Sequence, residues 1–157
     1  MAHEEVCSDF YRDLNIEKGI ATTTYAVEGV TYTREVFCSY PDQVIAIKMS
    51  ASQSRKLSFK VELCTPHAYK IEGRETELYL VAEAPAYAAP VYHECDEPAI
   101  YDELSKNRGI TFGIGVEVEQ NGGTVYLKDN ALRIEGADEA VLYLTIHTNI
   151  ISNLLKV

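Results

Sequence analysis

The stretch TTTYAVEGVTYTREVF, residues 22–37, contains two strand-like runs on either side of a short turn. Threonine, valine and aromatic residues dominate both runs, and such side chains fit the pleated surface of a β-strand. Between the runs, Glu28-Gly29 is a dipeptide typical of a tight β-hairpin turn. The sequence therefore predicts an antiparallel pair here, at the start of a sheet that continues as a meander.

Strand patterns of the same kind recur along the rest of the chain. In LSFKVEL, residues 57–63, apolar and polar side chains alternate, and ITFGIGVEV, residues 110–118, repeats the pattern. Shorter runs bounded by turn residues are ELYLVA, TVYLKD after Asn121-Gly122-Gly123, ALRIEG after Asp129-Asn130, and AVLYLTIHT. Because no segment carries a convincing helical period with caps, the sequence predicts an all-β fold, an antiparallel super-sandwich of about ten or more short strands.

Size and charge bound the function. The 157 residues suit one domain, residues 1–157. The net charge of -10, from 24 acidic and 14 basic residues, would repel a phosphate backbone, so no nucleic-acid partner is expected. No apolar run is long enough to cross a bilayer and the first residues lack signal-peptide features, so no membrane partner is expected and a cytoplasmic location is slightly favoured. A strand pattern that begins almost at once, near Phe10, favours a piece of a larger protein.

The four cysteines stand far apart and form no C-x-x-C pair. Cys38 and Cys64 lie in or beside apolar strand patterns, which predicts buried or idle thiols that behave as small hydrophobic side chains. We therefore expect no zinc site, no disulfide framework and no cofactor.

One long irregular stretch, EAPAYAAPVYHECDEPAIYDELSKN, occupies residues 83–107. Loops of this length in a compact domain are usually functional or disordered. Its tyrosines, Tyr87, Tyr92 and Tyr101, either stack on sugar rings or pack the loop onto the sheet, and the residue pattern leaves both interpretations open.

Catalytic chemistry has little support in the sequence. The HECDEP run, residues 93–98, cannot converge on one metal ion without a sharply coiled backbone, so it is interpreted as a solvated acidic loop. Neighbouring carboxylates such as Asp102 and Glu103 suggest a glycosidase pair, but 24 acidic residues produce such neighbours by chance. His67 and His147 have no triad partners and are interpreted as structural. The glycines of GITFGIGVE are expected to relieve crowding or mark a bulge.

Several blocks of the chain resemble the amino-terminal domain of glycoside hydrolase family 95, the α-L-fucosidases and related enzymes. The specific blocks are YR at 11–12, IAT at 20–22, GVTY at 29–32, REVF at 34–37 and PDQV at 41–44. Looser blocks follow at APAYAAPVY, at YDE in 101–103, at GITF in 109–112 and at EGADEAVLYLTIHT. Together they cover nearly the whole chain in order.

The resemblance implies a β-super-sandwich that leads into an (α/α)6 catalytic barrel of the same polypeptide. The family's catalytic residues lie in that barrel, so no residue of this chain is assigned a catalytic role. The first strands of the family domain are expected to be absent too, which would leave a sheet edge exposed and favour a homodimer through that edge.

The predicted contribution of this chain to substrate binding is a wall of the barrel's cleft, formed by Tyr87, Tyr92, His93, Tyr101 and Asp102. Its interpretation as a non-catalytic domain has two alternatives, a carbohydrate-binding module and a purely structural or interaction protein.

Overall fold

The computed structural model describes residues 7–90, 92, 95–96, 98–101 and 109–149. These residues form thirteen strands and no helix, so the all-β prediction is confirmed for the described part of the chain. Consequently, within these ranges, no helix is long and apolar enough to cross a membrane.

Eight of the strands form one antiparallel sheet, called the large sheet. They are β1 (Ser8–Asn15), β2 (Ile20–Val27), β3 (Val30–Ser39), β4 (Val44–Ala51), β6 (Tyr69–Arg74), β7 (Glu77–Glu83), β10 (Thr111–Asn121) and β13 (Glu139–Thr148). Their order across the sheet is β1-β2-β3-β4-β13-β10-β7-β6. The first four strands are therefore neighbours in chain order, as the meander prediction requires.

Three further strands form the small sheet, and two form a separate ribbon. The small sheet has the order β11-β12-β5, with β5 (Leu57–Val61), β11 (Thr124–Lys128) and β12 (Ala131–Ala137). The ribbon pairs β8 (Tyr87–Ala88) with β9 (Ala99–Ile100).

Turn chemistry in the sequence matches the observed turns. Glu28 and Gly29 have φ angles of 49° and 77° and join β2 to β3, as expected for a hairpin turn that needs positive φ at both central residues. Asp129 and Asn130, at 53° and 56°, join β11 to β12 in the same way. In contrast, Gly122-Gly123 carries the chain from the large sheet to the small one.

The core lies between the two sheets. The small sheet contributes Leu57, Leu132, Ile134 and Ala137, all with at most 1% of their surface exposed. They pack against buried side chains of the large sheet, which are Val27, Val30, Tyr32, Met49, Leu78, Val116, Val118, Ala140 and Leu142. We call this side of the large sheet its inner face and the opposite side its outer face. Removal of these apolar side chains from water is the main force that holds the two layers together.

The small sheet leaves one corner of the inner face uncovered. The uncovered corner comprises Leu14, Val36, Cys38, Ile45 and Ile146, which the strand registers place on the inner side of β1, β3, β4 and β13. Leu14 and Ile146 are 63% and 56% exposed, and Cys38 is also exposed. A hollow of about 300 Å³ opens here, lined in part by Cys38, Ile45 and Ile146.

The cysteine prediction was wrong with respect to burial. Cys38 and Cys64 are both exposed, as are Cys7 and Cys95, and all four are free thiols. Cys38 lies on the same face of β3 as Tyr32 and Val36, as strand alternation requires. However, that part of the face has no covering layer among the described residues, so the same apolar pattern gives an exposed side chain.

Candidate functional site

The long loop is partly organised by the ribbon at its base. Tyr87 pairs with Ile100 and Ala88 with Ala99, while the backbone N–H of Ala86 donates to the Ile100 carbonyl at 2.9 Å. At the point where the loop meets the sheet, the Ala84 N–H donates to the Ile110 carbonyl at 2.9 Å. A Cβ atom on Gly109 would overlap the Ala84 carbonyl oxygen, so the two ends approach this closely only because residue 109 is glycine.

Tyr101 is anchored to the sheet by a histidine. A hydrogen bond of 3.0 Å joins the Tyr101 hydroxyl and Nδ1 of His67, and the His67 ring meets Phe112 edge to face at 5.9 Å between centroids. The structural interpretation of His67 fits this geometry, because the ring connects the loop to an inner-face residue of β10. Tyr101 itself stays 42% exposed.

The other candidate residues of the loop are not gathered into one constellation. Tyr87 is 53% exposed on the ribbon and Tyr92 is 89% exposed. His93 and Asp102 lie outside the described residues. Half of the HECDEP run, residues 93, 94 and 97, is outside them. Among the residues that can be placed, no group of three or more His, Cys, Asp or Glu side chains could hold a metal ion.

A second cavity lies at the end of the large sheet where β6 and β10 begin and β7 ends. It has a volume of about 450 Å³, and its lining includes Tyr101, Lys70, Val81, Glu83 and Thr111. Strand pairing places the last four side chains on the outer face, where Lys70 lies opposite Val81 and Glu83 opposite Thr111. The cavity thus combines an aromatic ring, an aliphatic wall, an ammonium group and a carboxylate.

Sequence reasoning missed Lys70, Val81 and Glu83. Alternation within each run indicates which residues share a face of one strand. β6 and β7 are neighbours in the sequence and form a hairpin, but β10 joins them only through the strand order of the sheet. The long loop separates β7 from β10 in the sequence, so their pairing has no local signal.

Paired tyrosine and glutamate side chains are a further feature of the surface. The hydroxyl of Tyr79 donates to Glu77 at 2.8 Å, and that of Tyr143 donates to Glu119 at 3.2 Å. In each pair the hydrogen bond to the carboxylate raises the tyrosine pKa above its ordinary value. Both tyrosines therefore remain neutral hydrogen-bond donors at physiological pH.

Comparison with known proteins relates the chain to carbohydrate-active enzymes. The family profile described as "Glycosyl hydrolase family 65, N-terminal domain" matches residues 1–153. Over 146 residues the chain is 32% identical to "Alpha-L-fucosidase 2" of Arabidopsis thaliana, a match that covers 90% of this chain and 17% of that protein. Over 45 residues it is 44% identical to "Probable alpha-fucosidase A" of Aspergillus oryzae, covering 29% of this chain and 6% of that protein.

Both relatives are far longer than the region they share with this chain. This chain therefore spans only 17% and 6% of the lengths of the two relatives that it matches. The chain belongs to the family of glycosyl hydrolase N-terminal domains that the family 65 profile describes.

Proposed function

We propose that this chain is the non-catalytic N-terminal β-sandwich of a family 95-like α-L-fucosidase, and that it supports an (α/α)6 catalytic barrel of the same polypeptide. The observation that carries the proposal is the 32% identity over 90% of the chain with a protein named as an α-L-fucosidase, of which the match spans 17%. A protein of that length has room for a separate catalytic domain.

The uncovered corner supports this role. Leu14, Cys38 and Ile146 expose apolar surface on the same side of the sheet that elsewhere forms the core. Contiguous apolar surface of this kind usually marks a contact with another protein surface. In the proposal, polypeptide from the rest of the fucosidase packs there and covers the corner.

The ribbon and its loop are the proposed wall of the substrate cleft. Tyr87 is held by its backbone pairing with Ile100, and Tyr101 is held by its hydrogen bond to His67. Tyr92, in contrast, has 89% of its surface exposed. An exposed aromatic ring offers a flat apolar face with a polar tip, which suits contact with a sugar. His93 and Asp102 are proposed members of the same wall.

The proposed role is tested by comparing this chain with its full-length parent on an aryl α-L-fucoside at equal molarity. We expect turnover by the parent and none by the 157 residues alone. Turnover by the isolated chain would contradict the proposal and direct attention to the carboxylates of the loop.

The cleft wall is tested separately in the parent. We expect Tyr92→Ala to lower kcat/KM for the fucoside by about tenfold, or about 1.4 kcal/mol, because a substrate-positioning contact is lost. Tyr126→Ala is the control, since Tyr126 is also exposed, at 37%, but lies on β11 of the small sheet and not on the loop. An unchanged kcat/KM for the Tyr92 variant would contradict the proposal that the loop forms a wall of the substrate cleft.

A structural role through self-association is the alternative that a specific observation favours. β1 lies at one edge of the large sheet, where Phe10 and Tyr11 are each 60% exposed. An exposed strand edge with apolar side chains can pair with the same edge of a second copy. Sedimentation of the chain would reveal a dimer, and Tyr11→Lys should dissociate it. A monomer at all accessible concentrations would contradict this alternative.

A further inference from the structure

The outer face of the large sheet carries a groove with a glycine floor. In β10, Gly113 lies directly opposite Val81 of β7 on one side and His147 of β13 on the other. A Cβ atom added to Gly113 would meet, within 4 Å, only the Leu80 carbonyl oxygen at 3.8 Å. The space above this glycine is therefore open, while Val81 and His147 stand exposed on either side of it.

An aromatic ring closes one end of this groove. Two residues along β10, a Cβ atom on Gly115 would lie 3.3 Å from the Tyr79 ring and 3.0 Å from Oγ1 of Thr145. The absence of a side chain at Gly115 thus allows the Tyr79 ring to lie against the strand. The hydrogen bond from Tyr79 to Glu77 holds the ring, which remains 42% exposed.

The 450 Å³ cavity forms the other end. Val81 lines this cavity and also flanks Gly113, so the cavity adjoins the open space above the glycine. Lys70, Glu83 and Tyr101 supply a cation, a carboxylate and a second aromatic ring. From Tyr79 to Glu83 the groove extends four strand positions, roughly 13 Å at the usual rise per residue.

We propose that this groove, from Tyr79 to Tyr101, is a binding site for a neutral oligosaccharide. Sugars present apolar ring faces and many hydroxyls, and the groove offers aromatic rings at both ends with ionic and imidazole hydrogen-bonding groups between them. The open glycine floor lets a ring approach the sheet closely. The carboxylates and the net charge of -10 disfavour an anionic ligand. One part of this proposal rests on the proposed function, namely the expectation that the sugar carries fucose.

Amide chemical shifts of the 157-residue chain, recorded by ¹H–¹⁵N NMR during titration with 2′-fucosyllactose, test the site. The matched probe is lactose, which lacks only the fucosyl group. We expect saturable shifts centred on Val81, Gly113 and His147 with affinity in the millimolar range. Shifts confined to other parts of the sandwich, or no shifts with either sugar, would overturn the proposal.

The variant Gly113→Val fills the groove without straining the fold, because its Cβ has room and valine favours strands. We expect it to weaken sugar binding by at least about tenfold with an unchanged thermal unfolding midpoint. Thr24→Val places the same side chain on the outer face of β2, away from the groove, and should bind as the wild type does. An unchanged affinity of the Gly113→Val variant for the sugar would contradict binding in the groove.

A second variant, Glu83→Gln, removes one charge without adding bulk, and we expect it also to lower the affinity. Equal affinities for lactose and 2′-fucosyllactose would support sugar binding in the groove but would contradict a preference for fucosylated sugars. Activity of the full-length parent on a fucoside is a separate measurement, so failure of the groove and failure of the proposed function remain distinguishable.

Discussion

Two regions of the same inner face have opposite environments. At its centre, Leu78 and Val118 are at most 1% exposed beneath the small sheet, whereas at the uncovered corner Leu14 and Ile146 are more than half exposed. Both regions follow the same alternation of apolar and polar residues along their strands. The comparison teaches that alternation specifies which face is apolar, but that a second layer decides whether that face is buried.

The largest expected difference between these regions is in stability. Leu132→Ala would remove a fully buried side chain from the interface of the two sheets, and we expect it to lower the free energy of unfolding by about 2–5 kcal/mol. Ile146→Ala, at the uncovered corner, should change it by less than about 0.5 kcal/mol, because little burial is lost. Urea denaturation of both variants checks this. Equal losses would mean that the corner is covered in solution.

On the outer face, substitutions at two glycines of β10 are expected to differ in their effect on stability, by less than the core and corner substitutions do. Gly115→Val would bring new methyl groups against the Tyr79 ring and Thr145, and we expect a loss of about 1–3 kcal/mol from overpacking. The valine at position 113 has room and should leave the free energy of unfolding nearly unchanged. Thermal unfolding compares the two variants. A destabilised Gly113 variant with an unaffected Gly115 variant would show that the outer face is packed differently.

These contrasts also show what the sequence predicts well. Strand existence, the all-β class and the turns at Glu28-Gly29 and Asp129-Asn130 depend on local patterns, and all are confirmed. For the glycines of β10 the sequence predicts relief of crowding or a bulge. Gly115 does relieve crowding, whereas the register of β10 with both neighbours is continuous and contains no bulge.

The remaining features depend on pairings between distant segments. The exposure of Cys38 was mispredicted because its burial depends on how far the small sheet extends, and that sheet is built from residues 57–61 and 124–137. The groove was missed for a similar reason, since Val81 and His147 approach Gly113 only through the strand order. The loop tyrosines of the proposed cleft wall remain predictions.

The smallest expected effect concerns the covered end of the sandwich, where Asp138 joins the β4–β5 segment to the turn before β13. Its Oδ1 accepts hydrogen bonds from the Arg55 backbone N–H at 2.6 Å and from the Ser54 hydroxyl at 2.8 Å. The pKa of Asp138 is therefore below its ordinary value. The hydrogen bond from the Arg55 backbone lowers it most, and the one from Ser54 lowers it further. At the uncovered corner the comparable contact is local, since the Ser39 hydroxyl donates to the Asp42 carboxylate within the turn after β3.

The consequence is a stability term with a defined pH dependence. Because the folded-state pKa is depressed, the contribution is fully present above the unfolded-state value of 3.8 and is lost as the pH falls through the folded-state pKa. Asp138→Asn keeps an acceptor oxygen but removes the charge, so the melting temperatures of the wild type and this variant should differ at neutral pH and converge in acid. Asp138→Ala also removes the acceptor and should lower the melting temperature further. A difference between the wild type and the Asn variant that persists unchanged in strong acid would show that its origin is not the ionised carboxylate.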